Sequence, residues 1–544
     1  MPYNLLHENW LPVRRKSGLT ECIAPWKMTD GLVRDPIIEL ATPRPDFDGA
    51  LMQFLIGLVQ TAYAPKTERD WRRGLTDPPK PETLREAFVE YEHAFNLDGD
   101  GPRFLQDYGE KMGGKKKPIS FLLPDTPTSL SQNRDHFIKD RSAERYSDAA
   151  TAMALLSMQT NAPSGGRGHR TSLRGGGPLT TLVLGRTLWQ TVWLNVLSIA
   201  QQAVGKTADD ESKIFPWLAP TRTSEKGSPS RTTSPEDVHL LQCYWGMPRR
   251  IRLHSAGPGS QCALLNAEVE RTYETFEMKS NGVNYEGGWK HPLTPYRLQS
   301  SGPALPLKGQ PGGYSYRHWP HIATTSGSIQ DVEAAQVVRT FHQRALRYHA
   351  LDDTFQSQPR LWVFGFDTDN MKVRSWNESI MPLFLVPESL RTPFEDAAIA
   401  CIGVAEYAED KIREALKRGL FGAYRKRNGK LKWDVPERVS IDKTIFETAD
   451  AQFWHDTESA FYHTLRGVRE RLEAGESLIM LKTEWAKNLR RAVTGIFDRV
   501  TQYNTFRAAN PKAVALARRD LRRFISPYGR KVRKTLGLPD NQTA

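Results

Sequence analysis

Long amphipathic segments make up the C-terminal part of the chain, and they constrain the fold more than any other feature. Over residues 394–420, apolar side chains recur every three or four positions, which is the spacing of one helical face. The segments 454–472, 485–500 and 514–524 show the same spacing, with no strand pattern between them. Together they predict a bundle of four α-helices over residues 389–535.

Local signals predict where the helices of this bundle begin. The sequence TPFE at 392–395 is a capping box with proline at the first helical position, so we expect the first helix to begin at Thr392. The pair Asn510-Pro511 has the same arrangement and predicts the start of the fourth helix. We expect the basic stretch 425–432 to be a turn and residues 536–544 to be a disordered tail.

Residues 1–388 lack this regularity and predict a large mixed domain of irregular strands and helices. An apolar run at 49–64 and a segment at 329–350 are typical of helices, whereas 237–385 alternates short apolar runs with turns. The fold class that we expect is therefore α+β, with the mixed domain followed by the helical bundle.

The composition of the chain predicts a cytoplasmic protein. The most apolar stretch, residues 179–200, contains Arg186, Gln190 and Asn195, so we expect a buried helix there rather than a membrane span. The opening residues have neither the basic nor the apolar region of a signal peptide. The four cysteines are scattered, with no CxxC pair, which is typical of a reducing compartment.

The formal net charge is +13, and most of it lies in the C-terminal part. Residues 391–544 contain thirty Lys and Arg against twenty Asp and Glu, which leaves about +3 for the rest of the chain. A positive charge of this size favours anionic partners. The last predicted helix has many basic side chains and only Asp520 as a nearby acid. This basic surface is either a solvated helix face or a contact for phosphates or an acidic protein.

No motif identifies an enzyme or a cofactor site. The chain has no HExxH, no paired cysteines and no GxSxG, and Gly205-Lys206-Thr207 lacks the first glycine of a P-loop. Asp367 and Asp369 follow an apolar run, where two carboxylates either hint at Mg²⁺ or end a strand in a turn. We expect no catalytic residue, no cofactor and no metal. The alternative is a metal-dependent nucleic-acid-modifying enzyme that uses these two aspartates.

Residues 165–177 combine six glycines with arginines and a histidine. Glycine lets a backbone approach a ligand closely, and arginine supplies charge and forked donors. The segment is either a nucleic-acid contact or a tight turn packed between helices.

Several blocks along the chain occur in the order of a known family. They are NLLHENWLPV, APSGGRGHRTSLRGGGPLTTLV, WLNVL, GGWKHPLTPY and FGFDTDNMKVRSW. With the helical C-terminus, these blocks resemble the CasA family, the large subunit of the type I-E CRISPR Cascade complex, over the whole chain.

The resemblance implies a subunit without chemistry of its own that works in an RNA-guided complex. Its partners would be the other Cascade subunits, the CRISPR guide RNA, target double-stranded DNA and a separate helicase–nuclease. The subunit would recognise the protospacer-adjacent motif in duplex DNA, start strand separation, support R-loop formation and recruit the nuclease.

The resemblance also implies three elements that read the motif from the minor groove. A glycine loop falls at Gly165, Gly166 and Gly168, with Arg167 between the glycines. A lysine finger precedes the WKHP block, at Lys279. At a hairpin tip, an amide can reach base edges and an apolar side chain can enter between base steps. The residues of this wedge are Asp369, Asn370 and Met371, with Lys372 beside them as a further motif-recognition residue.

Further contacts with nucleic acid are implied outside these elements. The loop 125–145 would dock near the 5′ end of the guide RNA through Asn133, His136 and Phe137, since a polar and an aromatic side chain suit a splayed nucleotide. The arginines expected on the DNA backbone are Arg167, Arg170, Arg518, Arg519, Arg522 and Arg523. Some relatives carry a cysteine cluster, of which only Cys262 remains here, so we expect no zinc.

Overall fold

The structure is a computed structural model that divides into two compact units. It describes residues 2–109, 112–125, 145–166, 168–202, 210–254, 256–324, 331–348, 359–369, 372–427, 430–434, 444–504 and 510–539. Unit 1 comprises Met1–Gly313 and Gln330–Leu383, and unit 2 comprises Tyr314–Ile329 and Phe384–Ala544. The second unit therefore includes a short segment from the middle of the chain.

The elements of both units follow one another along the chain as mixed helices and short strands. The helices are α1 (Pro45–Ala62), α2 (Glu68–Thr76), α3 (Pro81–Val89), α4 (Asp148–Asn161), α5 (Leu188–Leu194), α6 (Ile199–Gln202), α7 (Trp319–Ala323), α8 (Gln336–Arg347), α9 (Glu388–Phe421), α10 (Thr444–Glu473), α11 (Ile479–Asn504), α12 (Pro511–Phe524) and α13 (Arg530–Leu536). The strands are β1 (Leu11–Arg15), β2 (Thr20–Ile23), β3 (Ile37–Leu40), β4 (Lys115–Pro118), β5 (Thr180–Leu184), β6 (Arg250–Leu253), β7 (Gly257–Cys262), β8 (Ala267–Thr272), β9 (Thr275–Lys279), β10 (Tyr296–Arg297), β11 (Leu305–Pro306), β12 (Val332–Glu333), β13 (Arg360–Asp369), β14 (Lys372–Pro382), β15 (Ala423–Arg427) and β16 (Lys430–Asp434). This α+β composition confirms the predicted fold class.

Small antiparallel sheets form the strand part of unit 1. Their strand orders are β2-β1-β3, β4-β9-β6, β14-β13-β5, β11-β10-β12 and β7-β8. Two of these sheets position the candidate site. The sheet β4-β9-β6 carries Lys279 at the end of β9, and the sheet β14-β13-β5 contains the long hairpin of β13 and β14.

Helix α1 runs through the core of unit 1, as the apolar run at 49–64 predicts. It begins with Pro45 at its first position, and nearly every later side chain is buried. Phe54 makes edge contacts with a group of buried aromatic rings, namely Trp10, Phe95, Phe104 and Trp245. The predicted helix at 329–350 is confirmed as α8.

The stretch 179–200 is buried, as predicted, but the prediction of a single helix is wrong. Its first part is β5, which pairs with β13, and only the part after Thr187 is helical. The Thr187 side chain accepts a hydrogen bond from the Gln190 N–H and so caps α5. A short apolar run rich in β-branched residues cannot be assigned to strand or helix by periodicity alone. Among the helices that the structure describes, none combines the length and apolar character needed to cross a bilayer.

The predicted C-terminal helical bundle is confirmed in unit 2. Helix α9 contacts α10, α11, α12 and α13, so it is the central helix of the unit. Nearly all of its predicted apolar stripe is buried, including Phe394, Ala405 and Ile412. The fourth helix begins as expected, because the Asn510 side chain accepts a hydrogen bond from the Ala513 N–H.

Two local predictions in unit 2 are wrong. Helix α9 begins at Glu388 rather than Thr392, and Pro393 lies inside it. Pro393 is close enough to the helix start that only an early backbone hydrogen bond is lost. The stretch 425–432 was expected to be a turn, but its described residues belong to β15 and β16, which pair antiparallel. Leu536, in the predicted tail, ends α13 and is buried, while residues 540–544 lie outside the described part.

The middle segment of unit 2 fills a gap between the helices of the bundle. Tyr316 is fully buried and stacks on Phe461 with ring centroids 4.4 Å apart. Its hydroxyl lies 2.8 Å from the Thr457 hydroxyl. Trp319 is also buried and makes edge contacts with Phe384 and Phe394. The core of this unit therefore requires residues that are distant from it in sequence.

Candidate nucleic-acid interface

The glycine-rich segment forms a closed loop between α4 and β5 in unit 1. Its ends are joined by backbone hydrogen bonds from Ser172 N to Ala162 O and from Gly177 N to Asn161 O. Gly166 and Gly168 have φ angles of +90° and +81°, which favour glycine because a side chain would strain the backbone. The described residues of the segment therefore form a loop whose conformation depends on glycine.

Two glycines of this loop are in close contact with neighbouring chain segments. A methyl group at Gly165 would lie 2.7 Å from Arg249 Nη1 and 2.9 Å from the Cβ of His169. A methyl group at Gly168 would lie 2.9 Å from the Cβ of Ser280. The Asn281 N–H donates a hydrogen bond of 2.6 Å to the Gly168 carbonyl. The loop thus packs against the two residues that follow Lys279.

A cavity of about 630 Å³ lies where the glycine loop meets the sheet β4-β9-β6. Its lining residues include Gly165, His169, Lys279, Lys115, Lys117, Arg249, Phe121, Met158 and Met278. The structure therefore brings together two of the elements predicted to read DNA, the glycine loop and Lys279. None of the described residues that line the cavity is acidic.

Lys279 is held at the end of β9 with its side chain about one third exposed. It lies opposite Arg250 in the sheet. Arg250 pairs with Asp107 at 2.6 Å and with Glu225 at 3.0 Å, whereas the Nζ of Lys279 is 3.9 Å from the same Glu225. Because Arg250 makes the closer ion pairs with these carboxylates, Lys279 keeps an accessible charge next to the cavity.

The predicted wedge lies at the end of a long β-hairpin. Strands β13 and β14 pair antiparallel, with one shift of register between Asp367 and Thr368, and Asp369 is the partner of Lys372. Asn370 and Met371 lie outside the described residues. Near this end, a methyl group at Gly177 would lie 2.8 Å from the Cγ2 of Thr368. One end of the glycine-rich segment therefore contacts the hairpin, and the other end contacts the Lys279 strand.

Asp367, part of the alternative enzyme hypothesis, is a buried structural carboxylate. The register shifts between Asp367, which lies opposite Ser375, and Thr368, which lies opposite Val373, so a bulge forms at Arg374. Arg374 Nη2 donates to both oxygens of Asp367, at 2.7 and 2.9 Å. This ion pair occupies the carboxylate that would have to bind a metal. Within the described part of the chain, no group of three or more His, Cys, Asp or Glu could hold a metal ion.

Of the remaining predicted contact residues in unit 1, some lie outside the described part of the chain, and one makes a hydrogen bond within the protein. Arg167 and the docking residues Asn133, His136 and Phe137 lie outside the described residues. Arg170 Nε donates to the hydroxyl of Ser224 at 2.8 Å.

Arg174, from the same segment, is fully buried. It donates to the side-chain oxygens of Gln53, Thr180 and Thr294. Burial lowers the pKa of Arg174 to about 10. This arginine ties the loop to the core and is not available to a ligand.

The predicted basic helix is α12, and three of its four arginines face carboxylates. Arg518 makes a two-pronged ion pair with Asp498 at 2.6 and 2.7 Å. Arg519 lies 3.1 Å from Asp520, and Arg523 lies 3.9 Å from it. Arg522 is exposed and has no ion pair with a described residue. The four arginines therefore differ in how freely they could contact a phosphate.

Three basic residues of the cavity were not predicted from the sequence, namely Lys115, Lys117 and Arg249. The run of three lysines at 115–117 was a visible signal, since alternate residues of a strand share one face. Arg249 could not be predicted as a cavity residue, because nothing in the sequence around it indicates that it is buried against Gly165.

The comparisons with known proteins agree with this architecture. A family model described as CRISPR-associated protein Cse1 matches residues 4–496. The chain is similar to the solved CasA (Cse1) of Thermus thermophilus, with a TM-score of 0.68, 18% identity and coverage of 98% of this chain and 99% of that one. It is similar to Thermobifida fusca Cse1, with a TM-score of 0.70, 16% identity and coverage of 98% of each chain.

A chain in a structure described as a CRISPR RNA-guided surveillance complex is also similar. Its TM-score is 0.65 at 16% identity, and the match covers 96% of this chain and 99% of that one. At these identities the structural matches show a shared fold, whereas the family model spans most of the sequence. The chain therefore belongs to the family of the CRISPR-associated protein Cse1, also named CasA.

Proposed function

We propose that this chain is the large subunit of an RNA-guided Cascade complex that recognises a short motif in duplex DNA. It then starts strand separation, supports R-loop formation and recruits a separate helicase–nuclease. One observation carries the proposal: Gly165 and Lys279, from distant parts of the chain, line the same cavity, whose described lining residues include no acid. Family membership and the likeness to a surveillance-complex chain support the wider role.

In this proposal the three elements act on neighbouring parts of the DNA. The backbone of Gly165, Gly166 and Gly168 approaches the minor groove, because glycine leaves no side chain between backbone and ligand. Lys279 adds a positive charge beside the groove. The wedge residues Asp369, Asn370 and Met371, with Lys372 beside them, act at the hairpin end, where a side chain can enter between base steps and unstack them.

The remaining partners are assigned to other surfaces. Asn133, His136 and Phe137 contact the guide RNA and help to dock the subunit among the other Cascade proteins. The basic surface of unit 2 contacts the phosphate backbone of the opened DNA. The subunit itself contributes no catalytic residue.

The test is motif-dependent DNA binding by the assembled complex with its guide RNA. Replacing Asn370 and Met371 together by Ala, or Lys279 by Ala, should reduce the ratio of affinities for motif-bearing and motif-scrambled duplexes about tenfold. Lys290→Ala is a matched control, since Lys290 is exposed and pairs with Glu333 away from the cavity. An unchanged ratio in both test variants would refute the proposal.

The enzyme alternative is tested with the purified chain, DNA and Mg²⁺ or Mn²⁺. We expect no cleavage. Cleavage that is abolished by Asp367→Ala, in a variant shown to be folded, would replace the proposed role with a nuclease.

A further inference from the structure

The cavity beside the glycine loop has three basic lining residues, Lys115, Lys117 and Arg249, to which the proposed function assigns no role. Its lining contains Lys115, Lys117, Lys279 and Arg249, with no acid among the described lining residues. Lys115 is exposed and the side chain of Lys279 is 37% exposed, whereas Arg249 is only 5% exposed. The cavity therefore has accessible lysines and one deeply buried guanidinium.

Arg249 is a buried cation with few polar contacts among the described residues. Its Nη2 donates to the Pro163 carbonyl, while its Nε is buried and has no hydrogen-bond partner in the described part of the chain. No described carboxylate pairs with it. Burial lowers the pKa of Arg249 to about 10, so it is still charged at neutral pH. A charge that is buried without compensation destabilises the folded protein, and a bound anion would offset this cost.

The contrast with Arg174 shows that burial alone does not explain Arg249. Arg174 is equally buried, but three side-chain oxygens accept its hydrogen bonds. His169 lines the same cavity as Arg249, and its Nδ1 is also buried without a partner among the described residues. Two polar side chains that line the same cavity thus have unused hydrogen-bonding capacity.

The strand β4 places two of its three lysines at this cavity. Lys115 pairs with Met278 and Lys117 pairs with Phe276, so both lie on one face of the sheet. Lys116, between them, projects to the opposite face and does not line the cavity. A cavity of about 630 Å³ lies within the usual size range of small-ligand sites.

We propose that this cavity is a phosphate-binding site in which Lys115, Lys117 and Arg249 hold the anion. Guanidinium and ammonium donors are the groups that proteins use for phosphate. Two sources share this chemistry: a phosphodiester of DNA bound at the glycine loop, and a small free phosphate compound. The first source rests on the proposed function, and the second does not.

The test is calorimetric titration of the full-length chain with pyrophosphate at constant ionic strength. The wild type should bind saturably, and the double variant Lys115→Gln/Lys117→Gln should bind at least about tenfold more weakly. Lys116→Gln, with the same charge change on the other face, should differ less than about twofold. Arg249→Lys keeps the charge but loses the forked donors, and should weaken binding if circular dichroism shows that it is folded.

The source is identified by competition. Displacement of pyrophosphate by a short duplex assigns the site to DNA phosphate, and failure to displace it assigns the site to a free phosphate compound. Absence of saturable binding by the wild type, or an equal loss in Lys116→Gln, overturns the phosphate site. If the site fails while the assembled complex still binds DNA in a motif-dependent way, the proposed function stands. If the wild-type complex binds motif-bearing and motif-scrambled duplexes equally well, the proposed function is overturned, whereas the result of the pyrophosphate titration still stands.

Discussion

At the scale of single residues, Gly165 shows how a small residue can be required by its neighbours. Its φ angle is not in the left-handed region, but the space where a side chain would begin is taken by Arg249 and His169. The position therefore depends on glycine for packing, whereas Gly166 depends on it for backbone conformation.

Gly165→Ala is expected to destabilise the protein by about 1–3 kcal/mol, because the added methyl must displace a buried guanidinium. The measurement is the free energy of unfolding in urea. Gly288→Ala is the control, since a methyl there meets nothing within 4 Å. It should change stability by less than about 0.5 kcal/mol. Equal losses of stability in the two variants would contradict this prediction, because they would show that Arg249 moves away from the added methyl group without cost.

His291 makes the stability of unit 1 dependent on pH. Burial, followed by the charge of Arg174, lowers its pKa well below the ordinary value of 6.5. Below about pH 6.5 the unfolded chain therefore binds a proton that the folded chain does not, so stability falls as the pH falls. The expected loss from this group is up to about 1.4 kcal/mol per pH unit between pH 6.5 and 5.

Unfolding at several pH values in that window tests this prediction. His291→Gln should flatten the pH dependence, whereas His254→Gln, at an exposed position, should leave it as in the wild type. The same slope in wild type and His291→Gln would contradict the assignment.

At the scale of elements, the hairpin of β13 and β14 depends on the ion pair beside its bulge. Asp367 is buried, so removing its partner leaves an uncompensated carboxylate inside the protein. Arg374→Gln is expected to cost about 1–3 kcal/mol in unfolding free energy. Faster amide exchange in the hairpin should accompany this loss. Arg360→Gln, at the exposed start of β13, is the control and should cost less than about 0.5 kcal/mol.

Helix α12 offers a comparison between two arginines of the same surface. If unit 2 contacts DNA phosphates, Arg522→Gln should reduce the slope of log affinity against log salt by about 0.9. Arg518→Gln should change this slope less, because Arg518 is already held by Asp498. The measurement is DNA binding by the assembled complex over a range of salt concentrations. No change in slope for Arg522→Gln would remove this helix from the DNA interface.

At the scale of the whole molecule, the second unit is built from two separate stretches of the chain. Tyr316 belongs to the middle stretch and fills the core between α10 and α11. Tyr316→Ala is expected to cost about 3–5 kcal/mol in unfolding free energy, and Tyr316→Phe about 1 kcal/mol. Tyr528→Ala, at a side chain that is 67% exposed, is the control. Comparable losses at Tyr316 and Tyr528 would contradict a core role for the middle stretch.

The predictions from sequence succeeded where the signal was local and repeated. The apolar stripe of α9 and the cap at Asn510 were predicted correctly, because helix periodicity and this cap depend on residues that are close together in the sequence. Predictions failed for β5 and for the strands β15 and β16. The partner of β5 is β13, far along the chain, so the neighbouring residues do not reveal the pairing. Strands β15 and β16 pair with each other, but their sequence is rich in basic residues and has no apolar run that would indicate strands.

The candidate site divides in the same way. The glycine-rich segment, Lys279 and the hairpin end could be named from the sequence, because family blocks carry them in order. Only the tertiary structure decided that Gly165 and Lys279 share a cavity, and that Arg249 is buried in it with no counter-ion among the described residues. Burial and charge pairing arise between residues far apart in the chain. The sequence by itself therefore determined the helices of the C-terminal bundle and part of the candidate site, and long-range packing decided which residues meet there.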